Sequence, residues 1–262
     1  MRVVIQDNYE KMSLWAANYI AKKIRDHKEN RPFVLGLPTG SSPIGVYREL
    51  IRMNKSGELS FRNVVTFNMD EYLGLPHDND QSYWYFMHEN LFDHIEIPAE
   101  NINILNGMTD DPEEECASYE ERIASYGGID LFMGGIGVDG HLAFNEPFTS
   151  LSSRTGVRVL TTDTRIVNAR FFGNDPEKVP AKALSVGIGT VTDSKEVLVL
   201  ISGHNKARAL AATVEGGVSQ KWTCSALQLH NGAIIACDEA ACGELTVDTY
   251  KYFLDIEKTE RL

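Results

Sequence analysis

Short β-branched runs alternate with longer helical stretches along the chain, and this alternation limits the fold more than any other feature. Eight runs have strand character, at residues 3–5, 33–37, 64–68, 102–105, 129–133, 184–187, 197–201 and 233–237. Several are nearly continuous in apolar residues, as strands buried on both faces are. Between the first two, residues 9–27 put Met12, Trp15, Ala16, Tyr19, Ile20 and Ile24 on one helical face. Residues 111–126 predict another helix. Asp111 is its N-cap, Pro112 sits in the first turn, Glu113 to Glu115 face the positive end of the helix dipole, and Gly127 stops it. The pattern predicts an α/β fold, a doubly wound and mostly parallel sheet with helices on both faces. No Pro/Gly/Ser-rich linker, internal repeat or low-complexity tract divides the chain, so residues 1–262 are expected to form one α/β domain.

Charge narrows the choice of partner. With 25 basic and 37 acidic side chains the net charge is −12, which argues against a general nucleic-acid or anionic-membrane binder. An anionic ligand must then be held by a few placed cations and backbone amides. Cys116, Cys224, Cys237 and Cys242 form no CxxC pair, so reduced thiols in a cytoplasmic protein are expected. The opening MRVVIQDNYEKMSLW has no signal-peptide pattern, and no apolar run is long enough for a bilayer.

In doubly wound folds, ligands collect outside the carboxyl ends of the strands. The loop Gly36-Leu-Pro-Thr-Gly-Ser-Ser-Pro43 follows one strand directly. Ser42 is a plausible N-cap and Pro43 a first helical residue, with Ile44, Tyr47 and Ile51 as the apolar face. Thr39, Gly40, Ser41 and Ser42 could present amides to an anion at the helix start, although an ordinary βα turn fits the same residues. The lysine of a nucleotide P-loop is absent. A second strand runs into Asp70 and Glu71, where desolvation could make a base of a carboxylate, and a capped loop is the plain alternative. A third loop, Gly134-Gly-Ile-Gly-Val-Asp-Gly-His-Leu-Ala-Phe-Asn-Glu-Pro147, contains the G-x-G-x-x-G spacing of dinucleotide sites. That fingerprint needs a long helix after it, and Pro147 cuts the stretch short. What remains is His141 between Asp139 and Glu146, an arrangement that favours and orients a protonated imidazole for proton transfer. Metal ligation is poorly supported, since no HExxH, cysteine or EF-hand spacing occurs. Two cations complete the set. Lys206 sits at an expected helix start, where a bound anion would offset the unfavourable dipole. Arg170 suits bidentate phosphate contact.

LGLPTGSSP, TFNMDEYLGL, GGIGVDGHLAFNEP, SRTGVRVLTTDTR and SGHNKARAL occur in this order, and together they resemble the glucosamine-6-phosphate deaminase (glucosamine-6-phosphate isomerase) family over nearly the whole chain. The resemblance implies a modified Rossmann-like fold, no cofactor, a small phosphosugar substrate, and conversion of glucosamine 6-phosphate and water to fructose 6-phosphate and ammonia. It also implies a homo-oligomer, with a hexamer favoured. By resemblance Asp70 is the enolisation base, His141 opens the sugar ring, and Asp139 and Glu146 tune it. The 39–42 loop, Arg170 and Lys206 hold the phosphate, and residues 161–182 form a lid. Activated members bind N-acetylglucosamine 6-phosphate at a subunit interface. Thr149, Arg158 and Tyr252 match that site, Met1 offers an amino group, and Val159 belongs to the same group. Activated members carry an arginine where this chain has Gly156, so weak or absent activation is expected. The rivals are a phosphosugar lactonase, which would not need the FNMDEY base, a sugar-phosphate sensor, and a nicotinamide oxidoreductase. The sensor is disfavoured because the chain opens on a strand, with no room for a helix-turn-helix.

Overall fold

The computed structural model describes residues 1–259. The strands among them are β1 (Arg2–Gln6), β2 (Phe33–Leu37), β3 (Val64–Asn68), β4 (Asp70–Tyr72), β5 (Ile102–Asn103), β6 (Leu131–Gly135), β7 (Gly156–Val159), β8 (Lys182–Ser185), β9 (Glu196–Ile201) and β10 (Ala233–Asp238). The α-helices are α1 (Tyr9–Asp26), α2 (Ile44–Lys55), α3 (Tyr83–Asn90), α4 (Pro112–Ser125), α5 (Thr162–Asn168), α6 (Ile188–Thr192), α7 (Ala207–Val214) and α8 (Val247–Glu257). Seven strands pair in parallel, in the order β1-β10-β9-β6-β2-β3-β5. Every residue of β2 and β3 is buried, which explains their lack of polar alternation. One sheet face packs Leu35 and Leu131 against Met12 and Ile20 of α1 and Tyr47 and Leu50 of α2. The other packs Phe67 and Phe132 against Tyr119 of α4 and Leu210 of α7. Burying a side chain of this size stabilises the fold by about 1.5–3 kcal/mol.

The expected α/β sheet is therefore present, with α4 capped as read from sequence: the Asp111 carboxylate accepts from the Glu114 amide at 3.1 Å. Four details differ. Residues 184–187 do not extend the large sheet. β8 instead lies antiparallel between β4 and β7 in a second, three-stranded sheet. The strand expected at 129–133 runs instead over Leu131–Gly135. Just before it the Asp130 amide donates to the Val34 carbonyl at 2.9 Å and its carbonyl accepts from the Glu196 amide at 3.1 Å, while its carboxylate accepts from Arg31 and from the Val34 amide. The strand expected at 102–105 stops at Asn103. Ser42 does not cap α2: the Pro43 carbonyl accepts the Tyr47 amide, and the Gly45 amide is taken by the Tyr9 hydroxyl at 2.8 Å. The buried face of α2 is Val46, Tyr47, Leu50 and Met53.

Chain order fixes where a site can form. From β2 the chain builds outward through β3 to β5, then returns to β6 on the other side of β2 and builds outward again through β9 and β10. The strand order thus reverses between β2 and β6, and a crevice opens at their carboxyl ends. The small sheet joins the β3 end there, since the Val186 amide donates to the Met69 carbonyl at 2.8 Å.

Candidate active site

The loop after β2 is shaped to receive an anion. Gly40 sits at φ 92°, a conformation that disfavours any side chain. The Tyr9 hydroxyl faces the Ser41 and Ser42 carbonyls at 3.1 and 3.2 Å, and the Tyr47 hydroxyl donates to the Pro38 carbonyl at 2.5 Å. Among the described residues, the amides of Gly40, Ser41 and Ser42 have no internal hydrogen-bond partner. They precede α2, where partial positive charge collects. Ser42 lies against Gly135 at the end of β6, so this loop and the histidine loop share the crevice.

Asp70 is 7 % exposed at the start of β4. Burial pushes its carboxyl up to about 8, Glu71 adds to the rise, and His141 across the site opposes it. A desolvated carboxylate of this kind is a far stronger base than an ordinary aspartate. Glu71 is fully buried and raised by burial to about 7, although the amides of Tyr72, Tyr83 and Trp84 donate to it at 2.8–2.9 Å. It ties β4 to the start of α3. The Tyr83 hydroxyl lies beside those of Thr39 and Tyr72, joining the base strand to the β2 loop.

The stretch after β6 forms no helix, as Pro147 predicts, and folds back through bridges between Ile136 and Leu142 and between Leu142 and Asn145. Ala143 takes φ 53° in this turn, a conformation costing an L-residue about 1–2 kcal/mol. Tertiary bonds hold it: the Phe144 amide donates to Ser185 Oγ at 3.0 Å, and Asn145 Nδ2 donates to the Val186 carbonyl at 2.8 Å. His141 Nδ1 consequently faces Asp139 Oδ1 at 2.9 Å and Glu146 Oε2 at 3.5 Å. A side chain at position 137 would strike both Asp139 and His141, so only glycine fits there. Burial disfavours the charged imidazole, but the two carboxylates outweigh it and lift His141 to about 9. Burial alone would raise Asp139 and Glu146, yet the imidazole holds both low.

Lys206 occupies the position just before α7, as expected, and its ammonium donates to the Ile136 carbonyl beside the histidine loop. Burial depresses it to about 8, the Asp139 charge works the other way, and Arg170 adds to the depression. Asp238 anchors this loop by accepting from Ser202 Oγ at 2.5 Å and the Gly203 amide at 3.0 Å. Arg170 lies in a 3₁₀ turn, Ala169–Phe171, directly after α5, with its guanidinium 4.6 Å from the Phe171 ring centre. Two cations close enough for their charges to oppose each other suit a dianionic group.

The crevice thus gathers Asp70, Asp139, His141, Glu146, the 39–42 loop, Lys206 and Arg170. The remaining candidates lie apart. Gly156, Arg158 and Val159 lie in β7, Thr149 follows the histidine loop with its amide donating to the Glu146 carbonyl at 3.1 Å, and Tyr252 stands exposed on α8, which packs against β1. Arg158 donates to Asn145 Oδ1 and to the carbonyls of Val157 and Arg154, not to α8. Tyr9, Glu71, Asn145 and Asp238 were not read as positioning residues from sequence. Their signals were an unassigned acid beside Asp70 and polar residues at strand ends. The side-chain oxygens and ring nitrogens of Asp139, His141 and Glu146 lie within 4.8 Å of one another, as do those of His27, Glu29 and Asp130, the spacing at which such groups could hold a metal ion. Arg31 and Lys195 already neutralise the second group.

Residues 7–236 match the family described as glucosamine-6-phosphate isomerases/6-phosphogluconolactonase. A glucosamine-6-phosphate deaminase of Parabacteroides distasonis is 62 % identical over 260 residues, covering 98 % of this chain and 96 % of that one. One of Phocaeicola vulgatus is also 62 % identical, covering 98 % and 99 %. A solved structure described as a monomeric glucosamine-6-phosphate deaminase superposes with a TM-score of 0.89 at 42 % identity, covering 92 % of this chain and 99 % of that chain. The 6-phosphogluconolactonase of Trypanosoma brucei superposes at 0.75 with 17 % identity over 94 % and 98 %, a likeness of fold alone.

Proposed function

Because the chain belongs to the glucosamine-6-phosphate isomerase/6-phosphogluconolactonase family, we propose that it converts glucosamine 6-phosphate and water to fructose 6-phosphate and ammonia. The observation carrying this reading is Asp70, a carboxylate kept almost dry opposite the charged His141. A lactonase removes no carbon-bound proton, so although it can use a base to activate water it does not require one of this strength.

The amides of residues 40–42 bind the substrate phosphate with Lys206 and Arg170. His141 starts as the imidazolium that Asp139 and Glu146 favour. It gives a proton to the ring oxygen as the anomeric hydroxyl loses one, and the sugar opens to its C1 aldehyde. Asp70 removes the C2 proton, which the adjacent carbonyl acidifies, as O1 gains a proton to give the enolamine; C1 then takes up a proton and the nitrogen loses one. The resulting C2 imine adds water and expels ammonia. Every step is a proton transfer or an addition of water, so no cofactor is required.

The finer parts of the reading are a cytoplasmic protein with reduced, buried cysteines and a homo-oligomer, a hexamer favoured. What supports assembly is the exposure of Phe148, Val159 and Tyr252, at 73 %, 68 % and 60 %. Sedimentation distinguishes this from the monomer described for the 42 % identical relative. Among the described residues, no helix is long and apolar enough to cross a membrane. Supplying the purified protein with glucosamine 6-phosphate and, separately, with 6-phosphogluconolactone tests the activity. Consumption of the amino sugar alone is expected, and hydrolysis of the lactone alone would overturn the reading.

A further inference from the structure

Building on that reading of the site, we infer that Thr164 is a positioning residue: with Thr161 it fixes the Glu146 carboxylate against His141, so that the arm bearing Arg170 and the imidazole share one anion. The two oxygens of Glu146 are divided between these tasks. Oε1 accepts from the Thr161 amide at 3.2 Å, from Thr161 Oγ1 at 3.3 Å and from Thr164 Oγ1 at 2.6 Å. Oε2 is buried, has no hydrogen-bond partner, and lies 3.5 Å from His141 Nδ1. Holding one oxygen with the Thr161 amide and the Thr164 hydroxyl, with the single Thr161 hydroxyl proton shared between it and Thr164 Oγ1 at 3.1 Å, therefore fixes where the other can be.

A cap for α5 does not explain Thr164. The cap is made by Thr161, whose hydroxyl accepts from the Thr164 amide at 3.2 Å. The Thr164 hydroxyl is spare for that purpose. It belongs to a residue only 7 % exposed, where an unpaired hydroxyl would be costly, and it makes the shortest contact to Glu146. From Thr164 the chain runs through α5 directly into the turn that carries Arg170. Movement of the arm toward a bound phosphate must pull on the carboxylate that faces the ring.

The titratable groups around His141 are Asp139 and Glu146 on its own loop and Asp70 across the crevice, with Lys206 acting through Asp139. Removing the Thr164 hydroxyl takes away the shortest of the bonds to Glu146, leaves only the longer ones from Thr161 at 3.2 and 3.3 Å, and so loosens Oε2 against the ring, with Asp139 as the ring's close partner. The imidazole should then titrate lower by about one pH unit.

The test uses Thr164→Val in the full chain. NMR titration of the His141 ring in the free protein should move down by about one unit. The alkaline limb of the kcat/KM profile should follow it, and KM for glucosamine 6-phosphate should rise severalfold. Thr164→Ser should restore all three. Thr164→Ala carries the same expectation if the valine variant does not fold. A ring titration unchanged or shifted upward overturns the inference. The ring titration needs no turnover, so it stands apart from failure of the deaminase reading, which appears as a wild-type protein that releases no ammonia.

Discussion

Asp70 is most reactive where it is least comfortable, because the burial that strengthens it as a base opposes its ionisation. The folded chain retains a proton there that the unfolded chain, with an aspartate pKa of about 3.9, has released. Stability from this group is therefore complete below about pH 3.9 and is lost as pH rises through about 8. Asp70→Asn should raise the melting temperature at pH 8 by a few degrees, with the gain vanishing near pH 4. Calorimetry at both pH values checks this, and an unchanged or lower melting temperature at pH 8 contradicts it. For His141, the ring-opening role predicts that His141→Gln slows turnover of the closed sugar more than C2 proton exchange of an open-chain analogue. Equal losses would move it to the enolisation step. At Gly156, where the resemblance led to the expectation of a missing effector contact, a side chain would come within 2.9 Å of Arg158 Nη1, whose guanidinium already satisfies backbone carbonyls and Asn145. One absent charged phosphate contact weakens binding by about 1.5–3 kcal/mol, so N-acetylglucosamine 6-phosphate should scarcely shift substrate saturation curves. Strong activation at micromolar effector contradicts that. Asp70, His141 and their acidic neighbours were legible as candidates because they follow closely on apolar strands, Asp70 and Glu71 in β4 just after β3 and His141 in the loop after β6. Tyr9, Asn145 and Thr164 were not, since their partners lie at Gly45, Val186 and Glu146, well away in sequence.

Elements were legible in proportion to their burial. β2 and β3, buried along their whole length, agree with the sequence reading residue for residue. β4 and β7 escaped it. The first is three residues containing two acids, and the second is a half-exposed strand carrying Arg158. Both gain strand geometry only by pairing with β8, a long-range contact that local propensity does not encode. The small sheet matters because its β4 edge aims Asp70 into the crevice. Two other elements, the turn after α5 and the start of α7, present Arg170 and Lys206. Arg170→Ala and Lys206→Ala should each raise the Michaelis constant about ten- to a hundredfold. Arg170→Ala should also lower turnover if its arm closes over the substrate. Initial-rate kinetics decide this, and unchanged constants in both variants place the phosphate elsewhere.

At the scale of the whole molecule, the reversal of strand order between β2 and β6 brings the phosphate loop and the histidine loop to one crevice. On the proposed reading, a chain with net charge −12 would hold its anion with two cations and a few amides placed there, not with a general positive field. Sequence alternation foretold the parallel sheet and hence the end at which to look. It did not foretell the second sheet that closes over that end. The central claim is that this crevice abstracts the C2 proton of an amino-sugar phosphate through Asp70. The most direct measurement is product formation from glucosamine 6-phosphate by the wild-type protein and by Asp70→Asn. The account predicts ammonia and fructose 6-phosphate in equal amounts from the wild type, and a rate at least about a hundredfold lower from the variant while it still binds the substrate. Absence of ammonia from the wild type, or near-equal rates from the two proteins, would contradict it.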